Sequence, residues 1–410
     1  MPSSLLILVI VSMLHGATHL YTNFLNPLNP ELKEFFGLQL DEEVAVFSTI
    51  YFVVYASTNL LCGFLVTRVP ARVLLSIGPV INGLAVMAMS FLQPKAYGQM
   101  CGLIAIGAAG GGLYHPVGNL LITTTFPNSK GKALGIVGAG ASIAFLVAPY
   151  SALTLVKSAH WTWQNVCFWY GTIGILCGII AWFVLSGMGS RTAVGIPGDQ
   201  ALSESSERMR KADPKFSSVV WFAIFTIVVV AGREISSWGL SFVTRPFVEG
   251  SFTASPPNAG LLISLMFGSG LIMQPLAGRW SDKVIPEHVV ALCLGIMATM
   301  MVWAPSAPQG ALFPLYILMG GSLIATVPVL ESLMAARTPT PLRGLVFGIV
   351  ITSGFGMGAT GPFLVGAVAD AGHREPWAYA SAFYVLAMIG CTSGIMAILL
   401  RPIARRLGLL

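Results

Sequence analysis

A run of about 20 apolar residues is what a helix needs to cross the hydrocarbon core of a bilayer, and this chain contains twelve such runs. They fall at about 4–25, 44–66, 72–92, 99–124, 132–155, 165–187, 217–242, 258–279, 288–306, 311–334, 344–368 and 377–400. A backbone inside lipid must satisfy its own hydrogen bonds, so each run is expected to be a helix and the chain an all-α membrane protein with twelve transmembrane helices. The first run is read as span 1 and not as a leader. No basic residue precedes it, no small-x-small cleavage site follows, and it continues into His15 and His19. Composition removes the competing classes. Charged residues are 9% of the chain, against about 25% in soluble domains, which excludes both a water-soluble multidomain protein and a disordered one. The six cysteines, Cys62, Cys101, Cys167, Cys177, Cys293 and Cys391, all lie in apolar runs at no metal-ligand spacing and read as small core residues.

A formal net charge of +6 invites a nucleic-acid partner until the charges are placed. With both termini in the cytoplasm, 16 of the 22 Lys and Arg fall in inner loops, five (Lys33, Lys95, Lys157, Arg245 and Arg374) fall outside, and Arg233 lies within the membrane. That asymmetry is the positive-inside pattern. The basic balance therefore reflects topology, and no nucleic-acid partner is expected. The longest hydrophilic stretch follows span 6 and reads as a cytoplasmic linker over residues 188–216, with a short amphipathic helix through 201–211. It divides the chain into an N-terminal six-helix bundle, 1–187, and a C-terminal one, 217–410.

The two halves carry matching signals. Gly63 to Val69 after span 2 corresponds to Gly278 to Val284 after span 8, at an offset of 215. Gly131, Gly135 and Ile136 match Gly344, Gly348 and Ile349 at 213, Pro149 matches Pro362 at the same offset, and Pro116 matches Pro328 at 212. Four correspondences in consistent order indicate a parallel repeat of two six-helix units. With its 6+6 layout, central linker and loops of the form G-x-x-x-D-[RK], the chain resembles the major facilitator superfamily over essentially its whole length. Three strings resemble the fosmidomycin-resistance type of efflux protein within it: Gly111-Gly112-Leu113-Tyr114-His115-Pro116, the Leu-Asn-Pro and Phe-Phe-Gly-Leu passages after span 1, and Gly232-Arg233-Glu234 through Trp238-Gly239-Leu240. The resemblance implies a fold of two pseudo-symmetric bundles whose spans 1, 4, 7 and 10 line a central cavity. It also implies gating loops at Arg68 and at Asp282 and Lys283, although the first loop carries Thr67 where the family has an acid.

A charge at bilayer depth costs roughly 2.5–3.5 kcal/mol on insertion scales, so ionisable residues inside spans are functional candidates. They are His15 and His19 in span 1, His115 in span 4, Arg233 and Glu234 in span 7, and Glu331 in span 10. His15 and His19 share one helix face, extended by Asn23 and Asn26, and form either a polar strip along a wet cavity or a packing lock. His115 precedes Pro116, which frees a carbonyl one turn earlier. Either His115 and Tyr114 at that break bind solute, or His115 caps the carbonyl. Adjacent Arg233 and Glu234 diverge by about 100° around a helix and are expected not to pair well. Arg233 then faces the solute or forms a structural ion pair with another helix, and Glu234 carries a proton or pairs with a neighbouring helix. Glu331 is either a solute contact or the partner of Arg337 or Arg343.

The glycine runs Gly135, Gly138, Gly140 and Gly354, Gly356, Gly358, Gly361 follow no strand, and no G-x-x-x-x-G-K-[ST] occurs. They are expected at helix–helix contacts, with Pro149 and Pro362 as bends. No nucleophile, metal or cofactor motif supports an enzyme. The expected activity is secondary transport by alternating access, as a monomer in the inner (plasma) membrane, exporting a small organic solute in exchange for protons. An uptake carrier for an organic anion using Arg233, a transition-metal exporter using His15, His19, His115 and a carboxylate, and a membrane receptor without transport stay as alternatives. For the metal, the paired histidines lack a third ligand nearby in the sequence.

Overall fold

The computed structural model describes residues 4–66, 68–126, 130–186, 216–254, 256–281, 283–338 and 343–410. The proposed linker, and with it the 201–211 helix, lies outside those residues, as do Thr67 and Asp282. Among the described residues twelve helices are long and apolar enough to cross a membrane: spans 1 to 6 are Ser4–Phe36, Asp41–Leu65, Ala71–Met89, Tyr97–Thr125, Ala133–Lys157 and Trp163–Ser186. Spans 7 to 12 are Phe216–Ser251, Ala259–Trp280, Pro286–Ser306, Gln309–Met334, Val346–Ala371 and Pro376–Arg406. Large apolar side chains that stay exposed, among them Phe64, Phe91, Phe183, Ile272 and Met388, have no water-soluble rationale and suit a lipid-covered surface.

Most windows end within a few residues of their helices, with one consequential exception. Span 7 was expected to stop near 242, but its helix runs unbroken from Phe216 to Ser251. Arg245, assigned to an outer loop, is therefore inside a helix and only 1% exposed. Breaks follow local chemistry. Span 1 ends its first helix at Asn23, passes through a 3₁₀ turn at Asn26–Leu28 and resumes at Asn29–Phe36. Gly37 closes it at φ +68, a left-handed conformation that a side chain would strain. Span 4 is split at Leu113 into Tyr97–Gly112 and Tyr114–Thr125, because Pro116 has no N–H to return to Gly112.

Of the two prolines expected to bend their helices, Pro362 lies just beyond a break at Ala359. Pro149 lies inside the continuous helix Lys130–Lys157. Beside it the Tyr150 N–H donates to Ser264 Oγ at 3.1 Å.

The chain divides into two compact units, Met1–Gly195 with Thr244–Ser264, and Ile196–Val243 with Leu265–Leu410. In the first, Val11, Leu14, Leu75, Val117, Ile122 and Ala181 form a continuous core of spans 1, 3, 4 and 6. The glycine expectation is half right. A Cβ at Gly140 would sit 2.2 Å from the Ser12 carbonyl oxygen, whereas Cβ atoms at Gly135 and Gly138 would meet nothing within 4 Å. Spans 1 and 5 thus touch backbone to backbone at Gly140 and at Gly16, whose added Cβ would sit 3.1 Å from the Gly140 carbonyl oxygen. In the second unit, Gly354, Gly358 and Gly361 bring span 11 against Val230, Glu234 and Ile235 of span 7. Gly140→Ala should cost about 1–3 kcal/mol through overpacking, read as a lower unfolding temperature in detergent. Gly138→Ala, with open space around it, should leave that temperature unchanged or raise it slightly.

Candidate functional site

The sequence-selected residues gather into two polar clusters, one within each unit. In the first, span 1 supplies His15 and His19 from one helix face, and the break in span 4 delivers His115 to them. Ring centroids are 4.8 Å apart for His15 and His19, 5.0 Å for His15 and His115, and 5.3 Å for His19 and His115. His15 Nδ1 lies 2.9 Å from the Val137 carbonyl, which can only accept, so Nδ1 carries the proton and Nε2 is left with its lone pair. His19 Nε2 approaches that Nε2 at 3.1 Å, and His19 Nδ1 lies 3.5 Å from Thr22 Oγ1. A chain from Thr22 through His19 and His15 to Val137 therefore satisfies both rings. The His115 ring makes no hydrogen bond among the described residues.

Tyr114 is buried beside the histidines. Its ring stacks on His15 with centroids 4.9 Å apart, and its hydroxyl donates to the Val11 carbonyl at 2.8 Å. At the span 4 break Leu113 O receives the Cys62 thiol at 3.3 Å, and the His115 ring, which makes no hydrogen bond among the described residues, does not cap the carbonyl that Pro116 frees at Gly112. Cys62 thus contributes a donor as well as bulk. Asn23 is fully buried and accepts from Asn26 Nδ2 at 2.7 Å, and Ser48 donates to Asn26 Oδ1 at 3.1 Å. Tyr51 and Asn82, which charge-based selection passed over, line a narrow pocket with Thr22 and Asn26. Buried Asn and Tyr in an apolar span were the signal that would have found them.

In the second unit, Arg233 and Glu234 are directly paired, against expectation. The 100° between their Cα–Cβ directions is bridged by the length of the arginine side chain, which folds back along its own helix. The Trp238 indole N–H donates to the other carboxylate oxygen at 3.0 Å, so both oxygens of Glu234 are engaged within span 7. Arg233 Nε also points at the Leu323 carbonyl of span 10, at 3.4 Å. Glu331 is exposed and lies within electrostatic reach of Arg233. The salt bridge offered to it by Arg337 does not form, because Arg337 pairs with Glu287 at the start of span 9, a carboxylate with 0% exposure. The Arg337 guanidinium also lies 5.9 Å from the Phe222 ring centroid. The side chain of Arg343 lies outside the described residues.

Of the expected gating residues, Arg68 and Lys283 are exposed, and Arg68 makes a long 3.5 Å contact with the Phe64 carbonyl of its own helix end. Asp282 itself is undescribed. A third ionic group was missed. Arg245 donates to Pro27 O and to both oxygens of Glu31, one of them at 2.6 Å, and its Nε donates to Glu249 at 2.8 Å. Lys157 completes the group at 3.9 Å from Glu31 and 3.6 Å from Glu249. This network ties the ends of spans 1, 5 and 7 within the first unit.

Chemically, the first cluster offers imidazole nitrogen donors and acceptors, and the second offers a guanidinium paired with the Glu234 carboxylate, with Glu331 within electrostatic reach. The Major Facilitator Superfamily model matches residues 8–238 and 233–408. Among curated proteins, the chain is 25% identical over 245 residues to the multidrug resistance protein MdtG of Klebsiella pneumoniae, covering 59% of this chain and 57% of MdtG. It is 27% identical over 146 residues to Arginine transporter 1 of Toxoplasma gondii, covering 35% of this chain and 27% of that one. Against the class E tetracycline resistance protein of Escherichia coli it is 30% identical over 152 residues, covering 37% and 36%. The chain therefore spans between 27% and 57% of these relatives' lengths. Its fold resembles a bacterial homologue of the human lysosomal transporter Spinster, solved inward-facing and unoccupied, with a TM-score of 0.73 at 16% identity over 97% of this chain and 95% of that one. It also resembles the nucleoside transporter NupG, with a TM-score of 0.74 at 11% identity over 96% and 99%.

Proposed function

The chain belongs to the Major Facilitator Superfamily, and we propose that this small-solute transporter is a proton-coupled exporter of the fosmidomycin-resistance type, working by alternating access. The observation that carries the proposal is the charge balance of the second cluster. Arg233 supplies one positive charge to two acids, Glu234 in direct contact and Glu331 within reach. With both acids ionised the group is net negative at bilayer depth, and a single proton neutralises it. Glu234 is held by Arg233 and Trp238, so the exchangeable proton belongs on Glu331, the acid without such partners among the described residues. Export is supported by relatives named for multidrug and tetracycline resistance.

In this reading the transporter is a monomer in the inner (plasma) membrane with both termini cytoplasmic. Its two halves, 1–187 and 217–410, rock about the 188–216 linker. His15, His19, His115 and Asn23 provide polar contacts along the solute path. Arg68, Asp282 and Lys283 act at the loops that latch one state, so Asp282 influences interconversion more than binding.

The test is flux in proteoliposomes, with a solute first identified by thermal-shift screening. Glu331→Gln should keep solute binding and counterflow but lose accumulation driven by a pH gradient, since the coupling site is gone while the solute contacts remain. Gradient-driven accumulation that persists in Glu331→Gln would overturn proton coupling through this residue. Solute movement only towards the cytoplasmic face would overturn export.

A further inference from the structure

We infer that His15, His19 and His115 form a binding site for a divalent transition-metal ion of borderline softness, Zn²⁺ or its neighbours Co²⁺ and Ni²⁺. This stands on the geometry of the first unit alone and does not rest on proton-coupled export. One ligand nitrogen from each ring lies within 4.8 Å of the other two, although the three residues come from two spans and His115 is distant in sequence. Imidazole without carboxylate suits Zn²⁺, Co²⁺, Ni²⁺ and Cu²⁺, and disfavours Mg²⁺ and Ca²⁺, which demand oxygen.

The support around the rings is of the kind a metal ligand needs. A coordinating histidine normally donates its remote N–H to a carbonyl or carboxylate, which fixes the tautomer and aims the other nitrogen. His15 does this through Nδ1 and Val137 O at 2.9 Å. Its Nε2 lies 3.1 Å from His19 Nε2, and two nitrogens each bound to one tetrahedral zinc are about 3.3 Å apart. The widest ligand spacing, up to 4.8 Å, must close by about 1.5 Å to reach that value. The ring placed to close that distance is His115, beside the break at Leu113, which has no hydrogen bond among the described residues to give up.

Without metal, His19 donates its Nε2 proton to His15. With metal, that proton moves to Nδ1, where Thr22 Oγ1 at 3.5 Å accepts it. Three histidines leave one coordination position, open to water or to an anionic oxygen of a solute.

The experiment uses the full chain purified in detergent and titrated with CoCl₂, reading the visible d–d absorption of four-coordinate Co²⁺, with ZnCl₂ as competitor and MgCl₂ as control. Expected are one Co²⁺ per chain, displacement by Zn²⁺ and no effect of Mg²⁺. Affinity should fall by at least about 100-fold in each of His15→Gln, His19→Gln and His115→Gln. His288→Gln, an exposed histidine elsewhere, should bind as the unaltered protein does. Absence of saturable binding, or stoichiometric binding that survives all three substitutions together, overturns the site. X-ray absorption at the zinc edge of the unaltered protein counts imidazole ligands without depending on any variant. Three are expected, and fewer overturn the assignment. Neither outcome bears on the response to a pH gradient, so failure of the metal site and failure of proton coupling are separable.

Discussion

Alanine at position 233 is expected to abolish solute transport and to lower the unfolding temperature, the largest combined effect of any single substitution in the second unit. Arg233 is buried, paired with Glu234, turned towards the Leu323 carbonyl and within reach of Glu331. Removing it leaves Glu234 at 3% exposure with one indole N–H as its recorded partner. Breaking a buried pair from one side typically costs about 3–5 kcal/mol, because the remaining charge stays desolvated and uncompensated. Arg233→Ala/Glu234→Ala together should recover much of that loss, since neither charge is then stranded, yet should remain inactive. Lysine should rescue stability in part and transport poorly, because a point charge lacks the fork that holds Glu234 and points at Leu323 together. Thermal unfolding and proteoliposome flux of the same preparations separate the two consequences. Unaltered flux in Arg233→Ala would remove Arg233 from the mechanism.

How much of this was legible in the residues differs by level. The spans were, because a twenty-residue apolar run has only one stable form in lipid. What misled was the end of span 7. There Thr244, Arg245, Pro246 and Glu249 read as a loop, whereas the helix continues because Glu31 and Glu249 neutralise the arginine. Glu249, four residues on, is a partner the sequence shows, whereas Glu31 comes from the distant end of span 1 and leaves no local trace. His15 and His19 declared their shared face through spacing, but the third ring, His115, arrives only through the break in span 4. Glu287 follows Pro286 in the first turn of its helix, where acids are common, and its burial against Arg337 is a tertiary fact. Helical angle alone misjudged Arg233 and Glu234, because it describes where side chains leave the backbone and not where a long guanidinium ends.

Replacing Arg245 should produce the second large effect, and its pattern across partners would show that the network is one unit. Arg245 is 1% exposed, and its guanidinium serves Pro27 O, both oxygens of Glu31 and Glu249. No smaller side chain satisfies all of these. Arg245→Ala removes the buried partner of Glu31 and Glu249, leaves them only Lys157, orphans the Pro27 carbonyl, and is expected to cost about 1.5–3 kcal/mol. Arg245→Lys should fall between, keeping the charge without the bidentate grip on Glu31. Lys157 sits at the margin, with its side chain 52% exposed at 3.9 and 3.6 Å from its acids. Lys157→Ala should therefore cost no more than about 1 kcal/mol, as exposed pairs do. A double-mutant cycle between Arg245→Ala and Glu31→Gln isolates the bond itself, and a coupling of about 2 kcal/mol or more is expected for contacting members of a buried network. A coupling near zero would mean that Arg245 stabilises the end of span 7 through packing alone, and that Glu31 merely lies alongside it.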